Sequence, residues 1–225
     1  MNLIHALQDL DDPNSLVSRM RRARTRHIVT LIEEAVAETG ACRILDLGGR
    51  AEYWDLFDRG FLERSKVRIT LVNNAESVPV DDPMFEAIAG DACALDAFPD
   101  NAFDLVHSNS TVEHVGDWPR MEAFAREARR LAPRYYVQTP YYWFPIEPHF
   151  STPFFHWRSE QSRVKALLRR RHGFIKKCDD VGEAMREVQD ARLLDKTQFK
   201  YLFPDARHVD ERFAGLTKSL IAIRA

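Results

Sequence analysis

Between Arg43 and Trp54 the chain reads Arg-Ile-Leu-Asp-Leu-Gly-Gly-Arg-Ala-Glu-Tyr-Trp. Ile44, Leu45 and Leu47 are the residues of a short buried strand, Gly48 and Gly49 allow a sharp turn, and Ala51 to Phe57 suits the start of a helix. A strand, glycine turn and helix in that order make a nucleotide cradle. Without a Cβ the main chain lets a ligand come close, and the free N–H groups of the helix start face it. Asp46 adds a sign to this cradle: a phosphate beside it would be repelled, so the ligand it selects carries a positive group. The same residues also suit an ordinary strand and turn of an α/β domain.

The elements that must hold this turn in place follow from the rest of the pattern. Asp11 to Ser15 is a polar turn, and Ser15 caps a helix over 15–39 that ends at Gly40. Its apolar positions, Leu16, Met20, Ile28, Leu31, Ile32, Ala35 and Val36, recur at helical spacing and leave Arg19, Arg21, Arg22, Arg24 and Arg26 on other faces, either solvated or facing an anionic partner. Strands are expected at Val67 to Asn73, Phe85 to Ala89, Phe103 to Ser108 and Arg134 to Gln138, with an amphipathic helix from Trp118 to Leu131. Strands alternating with helices imply a mostly parallel sheet covered on both faces, with ligands at the carboxyl ends of the strands.

From Thr139 to Trp157 the composition changes to four prolines and eight aromatics, a stiff loop that suits either the wall and lid of a pocket or a hydrophobic plug. Arg158 to Lys177 carries eight Lys or Arg against one acid, Glu160, around a narrow stripe of Val164, Leu167 and Leu168. This basic helix suits either solvent or peripheral contact with a membrane or a lipid-linked substrate. Loop and helix together form an insertion over 139–190. A helical stretch from Leu193 to Phe203 stops at Pro204, and Arg207 to Phe213 with Leu216 to Ile223 reads as an antiparallel hairpin closing the sheet.

A chain of 225 residues, 45% hydrophobic, can bury a full core as one domain over 1–225. The net charge of −2 gives no global attraction to nucleic acid. The sequence shows neither a secretory leader pattern nor a membrane-length apolar run, the reading expected of a soluble cytoplasmic protein. Cys42, Cys93 and Cys178 are widely spaced, which suggests reduced thiols and neither a disulfide framework nor a metal site.

These pieces together resemble the class I S-adenosylmethionine (SAM) dependent methyltransferases, of the bacterial "type 11" kind. Asp46-Leu47-Gly48 is similar to the family's cofactor loop, and Gly90-Asp91-Ala92 to its adenine turn. Phe98 to Val106 looks like its Phe-Pro-Asp-x-x-Phe-Asp-Leu-Val stretch, and Ser108 to His114 like its Glu-His segment. The resemblance implies a Rossmann-like α/β sheet, mostly parallel with a C-terminal antiparallel hairpin and helices on both faces. It implies SAM as cofactor and S-adenosylhomocysteine (SAH) as product, held by Asp46, Gly48, Gly49, Asn73, Asn74, Asp91, Ala92 and Ser108. Three positions depart from the family. Asn73 stands where an acid binds the ribose, so Asn74 or Glu76 shares that task, and Arg50 and Glu52 stand where further glycines are usual.

If the acceptor is a hydroxyl, a base must take its proton, and His149, His114, Glu113 and Glu147 lie near strand ends. His149 is the first choice because Glu147 can orient it or raise its pKa, although packing and turn-capping roles suit it equally. The acceptor expected is a small molecule or a glycan or glycolipid, as in polysaccharide biosynthesis, through O-methyl transfer. Two alternatives stand beside it: an RNA methyltransferase using Arg19 to Arg26 and Arg158 to Lys177 as a basic stripe, and a non-catalytic scaffold of methyltransferase fold.

Overall fold

The computed structural model describes residues 16–74, 80–147 and 149–225, with the side chains of 16–21 left out. The expected Ser15 cap, the Asp11 to Ser15 turn, the side chains of Leu16, Arg19, Met20 and Arg21, and Glu76 lie outside the described residues. In chain order the elements are α1 (Leu16–Thr39), β1 (Cys42–Leu47), a 3-10 helix (Ala51–Leu56), α2 (Arg59–Arg64), β2 (Val67–Asn73), β3 (Phe85–Ala89) and β4 (Leu105–Asn109). A short 3-10 turn (Val112–His114), α3 (Trp118–Arg130), β5 (Arg134–Pro140), α4 (Glu160–Leu167), α5 (Val181–Gln189), α6 (Lys196–Leu202), β6 (Arg207–Phe213) and β7 (Leu216–Arg224) follow.

The described strands form a 7-stranded sheet in the order β3-β2-β1-β4-β5-β7-β6. The first five are parallel, and β7 runs antiparallel to both β5 and β6. Ala214 and Gly215, both at positive φ (48° and 83°), make the two-residue turn of the hairpin, the geometry that the twist of paired strands favours.

β1 is buried on both faces, and its side chains alternate between two cores. Ile44 joins Ile28, Leu31, Ile32 and Ala35 of α1, whereas Leu45 and Leu47 join Met121, Phe124 and Ala125 of α3 and Phe199 of α6. The last helix starts at Lys196, three residues after the expected Leu193, because Asp195 caps it. Asp117 caps α3 by accepting from Arg120 N, and Asp195 with Gln198 forms a capping box on α6.

A third, smaller core gathers Phe150, Phe155, Val164, Leu167, Cys178, Ala184 and Val188 within the 139–190 segment. Here the expectation of one basic helix from Arg158 to Lys177 fails: α4 stops at Leu167, and a second helix, α5, was not foreseen. The cause is Gly173, which turns at φ +56° with its backbone pressed on Phe150, so closely that a Cβ there would lie 2.0 Å from the Phe150 carbonyl oxygen. That approach folds 168–178 back as a turn closed by the His172–Ile175 bridge.

Candidate functional site

The ends of β1, β2 and β3 meet through a single residue, Asn73. Asn73 donates from Nδ2 to the Gly49 carbonyl at 3.0 Å, and its own backbone carbonyl accepts from Gly90 N at 2.9 Å. The glycine turn and the bend after β3 are therefore neighbours across two strand spacings, about 10 Å. The amide nitrogen of Asn73 is engaged on the loop, which leaves its oxygen as the atom it can offer to a hydroxyl.

Gly48 turns at φ +72°, and its N–H donates to the Val72 carbonyl at 2.8 Å. On its other side lies Thr111: a Cβ on Gly48 would come 2.4 Å from Thr111 Oγ1. Thr111 Oγ1 and Ser108 Oγ both donate to the Leu47 carbonyl, at 3.0 and 3.1 Å. Ser108 is fully buried, so it acts by pinning β1 to β4 from beneath.

Asp46 is fully buried as well. It accepts from Trp54 Nε1 at 2.9 Å and from His107 Nδ1 at 2.6 Å, and Tyr136 stacks on the other side of His107 with ring centroids 5.6 Å apart. The acid that the sequence places at the mouth of the cradle thus supports the loop from below. Gly49 must be glycine for that reason, since a Cβ would sit 2.0 Å from the Asp46 carboxyl group. Arg50 is exposed, and Asp46 is fully buried. Following the glycine pair, the chain winds as a 3-10 helix where an α-helix start was expected, because Trp54 must reach down to Asp46.

At the bend after β3, Asp91 Oδ1 accepts from Cys93 N at 3.0 Å and from Arg120 Nη2 at 2.8 Å. Burial pushes this carboxyl group up, but the Cys93 amide and the Arg120 guanidinium outweigh it, so its pKa is lowered and it stays ionised. Ala92 is buried in the α3-side core, and Asn74 is exposed.

The candidate bases converge. Three residues past Thr111, His114 meets His149 with Nε2 to Nε2 at 3.0 Å. His149 Nδ1 donates to Glu147, and His114 Nδ1 lies 3.0 Å from Asp190 Oδ2. Both imidazole side chains are 29% exposed. Burial pulls His149 down, but Glu147, with Glu113 and Asp190 beyond it, raises its pKa overall. Burial pushes Glu147 up, and its bonds to His149 and to the Phe150 and His149 amides bring it below the usual range.

Glu113 is fully buried behind this pair. Its Oε2 accepts from Thr139 Oγ1 at 3.0 Å, its carbonyl accepts from Arg192 N at 2.8 Å, and Oε1 has no partner among the described residues. Burial raises its pKa. Glu113 therefore acts on the histidines from behind, and in this arrangement a ligand cannot touch it.

Two participants, Asp190 and His107, carry no signal in the sequence. Their partners lie 76 and 61 residues away, and no local spacing encodes such contacts. Arg24 also departs from expectation: it is buried, pairs bidentately with Glu211 at 2.6 Å and donates to Asn109 Oδ1 at 3.0 Å, so it is neither solvated nor part of a basic stripe.

Residues 61–134 match the type 11 family model described as a methyltransferase domain. Over that span, less than half of the chain, the sequence is similar to a methyltransferase domain. The matched span runs from α2 to the first residue of β5; it includes Asn73, Asp91 and His114 and begins after the unusual glycine turn. No curated protein matches the sequence.

Among solved structures, the N-terminal domain of EvdMO1, determined with SAH and D-fucose, is 16% identical over 92% of this chain and 82% of its own, with a TM-score of 0.50. A Rhodobacter sphaeroides structure, provisionally described as a zinc-dependent alcohol dehydrogenase, is 12% identical over 81% of this chain and 83% of its own, also with a TM-score of 0.50. The Burkholderia thailandensis 1,6-didemethyltoxoflavin N1-methyltransferase with SAH is 15% identical over 92% of this chain and 83% of its own, with a TM-score of 0.48. At these identities the likeness is one of fold. The EvdMO1 domain and the Burkholderia methyltransferase were both determined with SAH.

Proposed function

We propose that this methyltransferase domain transfers the methyl group of SAM to a hydroxyl of a small-molecule or glycan-type acceptor, with the His149–His114 pair taking the hydroxyl proton. The observation that carries this reading is the 3.0 Å contact between the two Nε2 atoms. Each Nδ1–H faces a carboxylate, so both Nε2 atoms are left facing each other. Two lone pairs at that distance repel, whereas one proton between them makes an N–H···N bond. The pair thus holds a vacancy for one proton beside the carboxyl ends of β4 and β5, where ligands of such sheets bind.

SAM supplies a methyl group on a positive sulfonium, which the acceptor oxygen displaces in line. The chain's own residues do the rest. Asn73 and Asp91 hold the ribose and adenine, and Gly48 and Gly49 form the wall against the methionine portion. Asp46 fixes that wall through Trp54 and His107. The acceptor proton passes to Nε2 of His149, and Glu147 stabilises the resulting charge. The 139–190 segment forms the acceptor side of the site, and the chain works as one methyltransferase unit.

The test is SAH release from SAM and a panel of hydroxylated sugars and phenols. Hydroxyl acceptors should be turned over by the wild type and lose turnover in His149→Gln while SAM binding persists. Transfer restricted to amines, or an unimpaired His149→Gln enzyme, overturns the reading.

A further inference from the structure

The 139–190 segment also carries a surface that methyl transfer does not use. Trp143, Phe154 and Trp157 are exposed (56%, 53% and 37%), and they touch one another, with centroids 5.8 Å apart for Trp143–Trp157 and 5.0 Å for Phe154–Trp157. Next to them Arg158 lies over the Phe155 ring at 5.8 Å, and Phe155 stacks on His172 at 4.6 Å. Arg158 and Arg170 both hold His172 below its ordinary pKa, after burial, which places the two guanidinium groups around the same ring. Arg169, Arg170 and Arg171 are exposed, as are Lys176 and Lys177, and the Gly173 turn presents Phe174 at 50% exposure.

Solvated loops do not normally leave large aromatics open in a contiguous group. Aromatic rings rimmed by arginine and lysine match the interfacial layer of a bilayer, where the rings enter the headgroup region and the cations meet anionic lipid. The charge is one-sided along the segment: from Arg158 to Lys177 there are eight basic residues and one acid, while acids reappear only from Asp179 onward. No helix among the described residues is long and apolar enough to cross a membrane, so the contact is peripheral.

We propose that this aromatic and basic surface of the 139–190 segment docks the protein on an anionic lipid bilayer. The docking needs no cofactor or acceptor and stands apart from the proposed reaction. It would present the site to acceptors held at the membrane.

The test uses the full chain with vesicles of pure phosphatidylcholine and vesicles of equimolar phosphatidylcholine and phosphatidylglycerol. Cosedimentation is expected with the mixed vesicles alone, weakening steeply with salt. A basic residue near an anionic surface is worth roughly fivefold in partitioning, so Arg158→Glu with Arg170→Glu should weaken binding by more than about tenfold. Acyl-chain-brominated lipid should quench tryptophan fluorescence, and the quenching should vanish in Trp143→Phe with Trp157→Phe, since Trp54 is buried and Trp118 lies on α3 against Tyr201, outside this surface. Equal sedimentation with neutral and anionic vesicles, or binding that persists in the arginine variant with an unchanged circular dichroism spectrum, overturns the proposal. So does capture by a soluble neutral oligosaccharide without vesicle retention, which would make the aromatic group a sugar platform.

Discussion

The two sides of the site are held by different means. On the cofactor side, the glycine turn sits on a sheet whose strands are buried, and its contacts converge from below: Asp46 with Trp54 and His107, Ser108 and Thr111 on the Leu47 carbonyl, and Asn73 on Gly49. On the other side, His149 belongs to a segment with its own small core. That segment reaches the sheet ends through polar links, among them His149 to His114, Asp190 to His114 and Arg192 N to the Glu113 carbonyl. A buried, over-determined cradle does not tolerate change in shape, because each neighbour is already in contact. A satellite segment joined by a few polar contacts can differ in size and chemistry without disturbing the sheet. On the proposed function, the arrangement separates a fixed cofactor grip from an adjustable acceptor side.

The comparison breaks first at its reactive contact. His149→Gln should lower kcat by about a hundred- to ten-thousandfold, the usual worth of a positioned base, with SAM affinity nearly unchanged. Single-turnover kinetics with calorimetry checks it; a matching fall in SAM affinity would place His149 on the cofactor side.

The next largest effect belongs to the cradle. Asp46→Ala removes the partner of two buried donors and should cost about 3–5 kcal/mol, the range for breaking a buried pair, read as a lower denaturant midpoint. Gly49→Ala should weaken SAM binding more than it weakens the fold, because the added Cβ can be accommodated only by moving the turn. If Gly49→Ala bound SAM normally, the turn would be less constrained than its contacts indicate.

How much of this was legible in the sequence follows the same division. β2 and β3 were readable to the residue, because each is an apolar or alternating run bounded by turn residues. The closing hairpin was legible from Ala214 and Gly215, and the convergence of the β1 and β3 bends from the strand–turn order. The job of Asp46 was not, since its partners, Trp54 and His107, look from sequence like core aromatics. Nor was the break after α4: Arg169 to Arg171 continue a helical composition, and only the backbone contact between Gly173 and Phe150 stops it. The histidine pair was half legible, because Glu147 and His149 are two residues apart in sequence while Asp190 arrives from an unforeseen helix end.

Asp91→Ala is expected to weaken SAM binding roughly tenfold or more, the worth of a hydrogen bond to a charged group. Since Asp91 also holds Arg120, the informative control is Arg120→Ala, which frees that carboxylate without removing it. Calorimetry showing unchanged affinity in Asp91→Ala would take this residue out of the adenine site, and an equal loss in both variants would reassign the effect to the bend itself.

The smallest effect is the most diagnostic, because it concerns pH alone. His149 has a raised pKa in the folded protein, so the stability its charged form gives is complete below its unfolded value of 6.5 and is lost as pH rises through the higher folded value. Activity should move the other way, since the vacancy between the two imidazoles opens only when that proton leaves. The rate should therefore climb with pH while the hold on the 139–190 segment relaxes. Glu147→Gln keeps an acceptor for His149 Nδ1 but removes the charge that raises it, and burial of the ring remains. The inflection of the pH–rate profile should shift to lower pH with the alkaline plateau retained, and the pH dependence of the unfolding midpoint should flatten on the same side of neutrality. A profile that stays in place in Glu147→Gln would mean that the titrating group is not His149, and the proton must then be taken elsewhere on the acceptor side.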